Sequence, residues 1–345
     1  MRLISLIVIG FVLFSCKKDE TKCPATAPNL ANGTLVLCEG LYQQNNSSIS
    51  WIDFSSGVID NSYFVTRTNR QIGDTGNDIK RYGGKIYVVV NVSSVIEVLS
   101  ASDFTSIKQI QMESGGVAKQ PRSIAFYGGN AYVTCYDGFV DVIDTTSLTV
   151  TTRIPVGNNP EGLAVANGKL YVANSGGLNF PNLDSTLSVI NLATNTELMK
   201  ITVGINPGEV VSDASGDVYV VSRGDYGAVP SRLKRVNSTT DVLLQSFAFD
   251  INGISPMNSN FLVFDANSVS VFNASSEIIE SSNFIDLSEV VTLYNVSYNS
   301  INDKIYISDA MNYTNTGYLR KYNPAGVYET SYHVGLNPKK VLFYD

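Results

Sequence analysis

The sequence predicts an all-β fold, a seven-bladed β-propeller of four-stranded blades whose ring is closed by N- and C-terminal strands. Three observations carry this expectation. A hairpin phrase recurs seven times along the chain. A pair of short apolar runs, the second centred on tyrosine, precedes most copies. The phrase Val-Gly-x-Asn-Pro, starting at Val156, Val203 and Val334, opens a new unit each time, yet the third copy stops after a single run, KKVLFYD. Internal repetition at this spacing marks a repeat architecture.

The hairpins read WIDFSSGVI, VLSASDFTS, VIDTTSLTV, VINLATNTE, RVNSTTDVL, VFNASSEII and KYNPAGVYE, and Asp53, Ser100, Asp144, Asn191, Asn237, Asn273 and Asn323 lead their turns. Asp, Asn and Ser side chains accept hydrogen bonds from backbone two residues on, so they start turns between strands. β-Branched residues on both arms supply the strands. Upstream, runs such as SIAFY and GLAVA lead into strands centred on Tyr87, Tyr132, Tyr171, Tyr219 and Tyr306. Each unit therefore holds four strands in about 45 residues, as a propeller blade does. Runs such as IYVVV do not alternate, which fits strands buried on both faces between stacked blades. No segment keeps a 3.6-residue apolar period, which predicts no helices. The first hairpin lacks an innermost strand, and KKVLFYD lacks a hairpin. Together they make one complete blade and leave no open edge.

Composition narrows the function. The 345 residues are 44% hydrophobic and 16% charged, with net charge −7, against ~25% charged in a typical soluble domain. Ser, Asn, Thr and Gly fill the difference, as many tight turns require. No basic cluster is present to displace the counterions of a nucleic acid, so that partner is set aside. A single histidine, His333, in a strand, is read as structural and excludes most histidine-based metal sites and triads. No cofactor and no metal are expected.

Residues 1–15 read as a lipoprotein signal peptide. One early charge, Arg2, precedes an apolar stretch, Leu3 to Phe14, too short for a permanent membrane span. Leu13-Phe14-Ser15-Cys16 resembles a bacterial lipobox with Cys16 as the lipidated residue; the alternative is a plain secretory signal. Residues 16–32 form a flexible tether, and residues 33–345 the propeller. Lys17-Lys18-Asp19-Glu20 resembles the charged signals that send lipoproteins to the outer face of some outer membranes. The expected location is therefore the outer membrane, lipid-anchored and exposed at the cell surface. Cys23, Cys38 and Cys135 leave an odd number for an oxidising compartment, against a disulfide framework. Cys38 and Cys135 read as buried small residues, with a Cys23–Cys38 bridge as the alternative.

YVAN at 171–174 and the recurrent Val-Gly-x-Asn-Pro turns resemble the YVTN- or YncE-type seven-bladed propellers of bacterial surface proteins. CEGLYQQNNSSISWID, RQIGDTGNDI, KQPRSIAFYGGNAYVTCYDG and SDAMNYTNTGYLRKYNPAGVYETSYHVGLNP are similar to stretches of surface lipoprotein propellers, over about residues 33–345. Some of that group, the BtuG proteins, capture cobalamin for a TonB-dependent transporter. The resemblance implies a corrinoid-class ligand and such a transporter as partner. No cobalamin contact is carried over residue by residue.

In a blade ordered from inside to outside, the loop entering the innermost strand and the loop between strands two and three share one face. The elaborated loops, 38–48, 174–185, 222–231 and 308–317, all fall there, and the opposite face has tight turns. Long loops on a rigid scaffold carry binding. The ligand-binding candidates are Tyr42, Arg122, Tyr136, Asp137, Glu161, Phe180, Arg223, Tyr226, Asp309 and Tyr313. Tyrosines supply rigid area with a polar tip. The bland alternatives are that Arg122 and Glu161 brace the channel as ion pairs, and that Asp225 and Asp309 cap turns. Three classes stay open: a monomeric binding module for a small polar ligand, a protein- or glycan-interaction propeller, and a lactonase-like hydrolase. No compact Asp/Glu/His constellation favours an enzyme, and no catalytic residue is assigned.

Overall fold

The computed structural model describes residues 30–344. The expected signal peptide, the expected lipidation site Cys16 and most of the expected tether lie outside them. Seven four-stranded antiparallel sheets are arranged as blades. The innermost strands of blades 2 to 7 are Gly76–Tyr82, Pro121–Tyr127, Pro160–Ala166, Pro207–Ser212, Gly253–Met257 and Leu293–Asn299. Each packs on the innermost strand of the next blade, and the ring closes through Pro338–Tyr344. That last strand pairs antiparallel with Gly33–Cys38, Leu35 facing Leu342 and Val36 facing Val341. Blade 1 is thus built from both ends of the described chain, as predicted.

The turn-leading residues act as expected. Asp53, Asp144, Asn191, Asn237, Asn273 and Asn323 each accept a backbone N–H two residues on, at 2.8–3.1 Å, and Ser100 does so at 3.3 Å. Tyr87, Tyr132, Tyr171, Tyr219 and Tyr306 are fully buried. The cores lie between blades. One cluster joins Tyr132, Val140 and Val142 of blade 3 to Leu163, Leu170 and Val172 of blade 4. Another joins Val36, Cys38 and Ile52 of blade 1 to Tyr306, Leu319 and Val334 of blade 7. Each fully buried aliphatic or aromatic side chain there contributes about 2 kcal/mol. Cys38 and Cys135 are buried and free, and burial pushes the Cys38 thiol up to about 12.

Two features depart from the expectation. The outermost strand of blade 1 shrinks to Ile59–Asp60 and is followed by a six-residue helix, Tyr63–Thr68. Tyr63 and Phe64 are buried, with the Tyr63 ring centroid 4.8 Å from that of Phe104. Two aromatic anchors therefore seat one helical turn, a length too short for any 3.6-residue pattern to register. A small extra hairpin pairs Glu113–Ser114 with Val117–Ala118 before blade 3.

Candidate functional site

The channel mouth is built by the entry turns. Thr75, Gln120, Asn159, Asn206 and Asn337 have positive φ, between 44° and 62°, immediately before the innermost strands of blades 2, 3, 4, 5 and 1. Asparagine tolerates this left-handed conformation better than most residues, which explains its recurrence before proline. Its side chain also links blades. Asn159 Nδ2 donates to the Tyr136 carbonyl at 3.0 Å, and Asn337 Nδ2 donates to the carbonyls of Gly40 and Tyr313 at 3.0 and 3.2 Å. Just inside the turns, the ladder of these five strands is irregular. Such bulges re-aim side chains, and Lys339 falls outside the register between Pro338 and Lys340.

Those strand starts deliver a network of charges to the mouth. Arg122 grips Glu161 through Nε and Nη2 at 3.1 and 3.0 Å, and its guanidinium lies 4.6 Å from the centroid of the Tyr136 ring. The Tyr136 hydroxyl donates to the same carboxylate. Lys339 Nζ pairs with Glu39 Oε1 at 2.9 Å and donates to Asn77 Oδ1 at 2.8 Å, and the Tyr294 hydroxyl donates to Glu39. Lys340 of blade 1 reaches Glu209 of blade 5 at 3.6 Å, an ion pair between non-neighbouring blades that crosses the channel. Burial alone would raise the Glu161 carboxyl, but Arg122, Arg223 and the Tyr136 hydroxyl outweigh it and hold it below the usual carboxylate range. Glu39 is likewise held low against its burial, chiefly by Lys339 and Tyr294. Pairing and hydrogen bonding are what make buried charge tolerable.

The structure gathers four predicted residues, Arg122, Tyr136, Glu161 and Arg223, at the mouth. Tyr42, Phe180, Tyr226 and Tyr313 stand exposed on the loops of the same face, at 67%, 65%, 74% and 50%. They fall in two groups, blades 7 and 1 and blades 4 and 5. Tyr226 and Tyr313 have φ of 61° and 65°, a strained conformation for an aromatic residue. Asp137 is turned away, paired with Arg153 at 2.5 Å in its own blade. Asp309 requires a correction. It is fully buried, accepts the N–H groups of Val291, Thr292 and Met311, and pairs with Arg320 at 2.8 Å. Its carboxylate braces blade 7 inside the protein and leaves the ligand face. Asp225 caps its own loop through Gly227 and Val229. Tyr294, Lys339, Lys340 and Glu209 were missed as network members, whereas Glu39 is legible as a charge of this face. Lys339 had a signal, since it follows Asn-Pro as Glu161 does and as Arg122 follows Gln-Pro.

A cleft of about 690 Å³ opens between the loops of blades 5 and 6, with Arg223, Tyr226, Asp250, Asn252, Asp265 and Asn267 among its walls. Its size lies in the range of small-molecule sites. Among the described residues no group of three or more His, Cys, Asp or Glu side chains is gathered to hold a metal ion.

Solved structures share the fold at low identity. A quinoprotein alcohol dehydrogenase-like protein from Bacteroides thetaiotaomicron is similar with a TM-score of 0.67 and 14% identity, over 92% of this chain and 79% of that one. A functionally unknown protein from Desulfotomaculum acetoxidans gives 0.65 and 13%, over 91% and 99%. Hydrazine synthase from Kuenenia stuttgartiensis gives 0.61 and 13%, over 74% and 85%. No curated protein matches the chain. A family model described as a domain of unknown function, DUF5074, matches residues 32–325, and this seven-bladed propeller belongs to that family.

Proposed function

We propose that the protein is a lipid-anchored, surface-exposed binding module that captures a ligand on its long-loop face, over the channel mouth. One observation carries this reading: Tyr42, Phe180, Tyr226 and Tyr313 all stand exposed on that face, around a mouth whose charges are already fixed. Exposed aromatics clustered on one side of a molecule mark an interaction site. The cross-blade ion pairs prevent the mouth from rearranging, which lowers the ordering cost of binding. The face is read as binding rather than catalytic because Glu161 and Glu39 are held below the usual carboxylate range. A general base works best with a pKa near the operating pH.

The resemblance to cobalamin-capturing lipoproteins makes a corrinoid the first ligand class to test, with a TonB-dependent transporter as the recipient. The mouth offers chemistry for it in tyrosine rims for the macrocycle and Arg223 for the phosphate. Substituting Tyr42→Ala with Tyr313→Ala should weaken cyanocobalamin binding by ~2 kcal/mol or more and leave the melting temperature unchanged. The opposite-face pair Ser56→Ala with Thr146→Ala should change neither. Absence of cyanocobalamin binding would remove the corrinoid assignment, and equal loss in both variants would remove the face. For the anchor, Cys16→Ala should release the protein from the membrane fraction; unchanged fractionation would count against lipidation.

A further inference from the structure

The cleft between blades 5 and 6 has a lining unlike that of the mouth. At the mouth, charged groups are consumed by one another. In the cleft they are held more loosely: Asp250 meets Arg232 only at 3.4 Å, with its own side chain 75% exposed. Arg223 approaches Glu161 only to 3.9 Å, and among the described residues its guanidinium makes no hydrogen bond. It lies across Gly208, where an added Cβ would come within 2.3 Å of its Cζ, so the bare backbone sets its course toward the cleft. Asn252 and Asn267 engage the described protein only through their backbone N–H groups, leaving both side-chain amides to solvent. Asp265 is aimed by its own turn: Oδ1 accepts the N–H groups of Asn267 and Ser268 at 2.7 and 2.8 Å and Oδ2 accepts the Ser268 hydroxyl at 3.0 Å, which leaves further lone pairs on Oδ2 for a ligand hydroxyl. Tyr226, the most exposed aromatic of the face, stands at the edge.

We infer that this cleft is a saccharide-binding subsite, with Tyr226 as the platform for a sugar ring and Arg223, Asn252, Asp265 and Asn267 as partners for its hydroxyls. Sugar hydroxyls donate and accept at once, so they need a wall that mixes donors and acceptors. Arg offers only donors, a carboxylate only acceptors, and Asn both. The C–H face of a pyranose is apolar and packs on an exposed aromatic plane, which an isolated Tyr226 supplies. Other ligand classes fit less well. A polyanion would meet two carboxylates, Asp265 and the Arg232-paired Asp250, against Arg223 in the lining. A predominantly apolar ligand would desolvate these polar groups and leave them without partners, which is unfavourable. The subsite borders the corrinoid reading and shares Arg223 and Tyr226 with it, but the residues that test the corrinoid, Tyr42 and Tyr313, lie on blades 1 and 7, so the two readings fail separately.

The test is a printed array of neutral oligosaccharides probed with the full-length protein, followed by calorimetric titration of the strongest-bound oligosaccharide. Saturable binding is expected. Tyr226→Ala, and separately Asn252→Ala with Asn267→Ala, should each weaken it roughly tenfold or more at an unchanged melting temperature, whereas Tyr42→Ala with Tyr313→Ala should leave it intact. A failed cyanocobalamin titration beside such a result would remove the corrinoid assignment and leave this subsite standing. No array signal above background, or a signal indifferent to both cleft variants, would overturn the inference.

Discussion

Burial pushes the Glu161 carboxyl up and its partners pull it further down, and that has a consequence for stability. Its carboxyl is held below the usual carboxylate range in the folded protein, whereas in the unfolded chain it titrates at about 4.3. Between those values the unfolded state binds more protons, so stability rises with pH there. The contribution is complete above the unfolded value and is lost as pH falls through the folded one. Thermal melts should therefore show a steep loss of stability below about pH 4. In Glu161→Gln the loss should be shallower, and stability at neutral pH lower by about 3 kcal/mol, because Arg122 is left without its bidentate partner. Parallel acid profiles for the two proteins would mean that Glu161 contributes nothing. The role of Arg122 and Glu161 as a brace was legible, because both follow prolines at entry turns. The contact of Glu39 with Tyr294 was not: it crosses from blade 1 to blade 7, between residues far apart in sequence.

The closing strand, Pro338–Tyr344, makes the strongest prediction at the scale of the element. It pairs along Gly33–Cys38 and seats Phe343 against Tyr306, ring centroids 5.0 Å apart. It also delivers Lys339 and Lys340 to the channel. Removing residues 336–345 strips the buried Tyr344 and the partly buried Val341, Leu342 and Phe343 from two blade interfaces, a loss of ~4 kcal/mol or more at about 1 kcal/mol for each half-buried side chain and more for the buried one. It also exposes unpaired strand edges that template aggregation. The truncated protein should melt far lower and aggregate; cooperative melting at an unchanged temperature would refute the closure. This element was legible because its phrase matched two earlier copies and then lacked its hairpin. The helix Tyr63–Thr68 was not legible, since one turn held by two buried aromatics leaves no periodic trace.

Across the whole molecule, the two faces differ in kind. The asymmetry could be read from loop length alone, as could the exposure of Tyr42, Phe180, Tyr226 and Tyr313. The burial of Asp309 could not, because its partners Val291, Thr292 and Arg320 meet it only once blade 7 folds. The cleft was equally hidden, being assembled from three segments of two blades. What the faces do is tested most directly by hydrogen–deuterium exchange of the full-length protein with and without cyanocobalamin. Slowed exchange is predicted in the loops 38–48 and 308–317, extending to 174–185 and 222–231 around the mouth, while the opposite-face turns 53–58 and 144–149 stay unchanged. Protection at those turns would contradict capture at the long-loop face, and protection nowhere would contradict cyanocobalamin as its ligand.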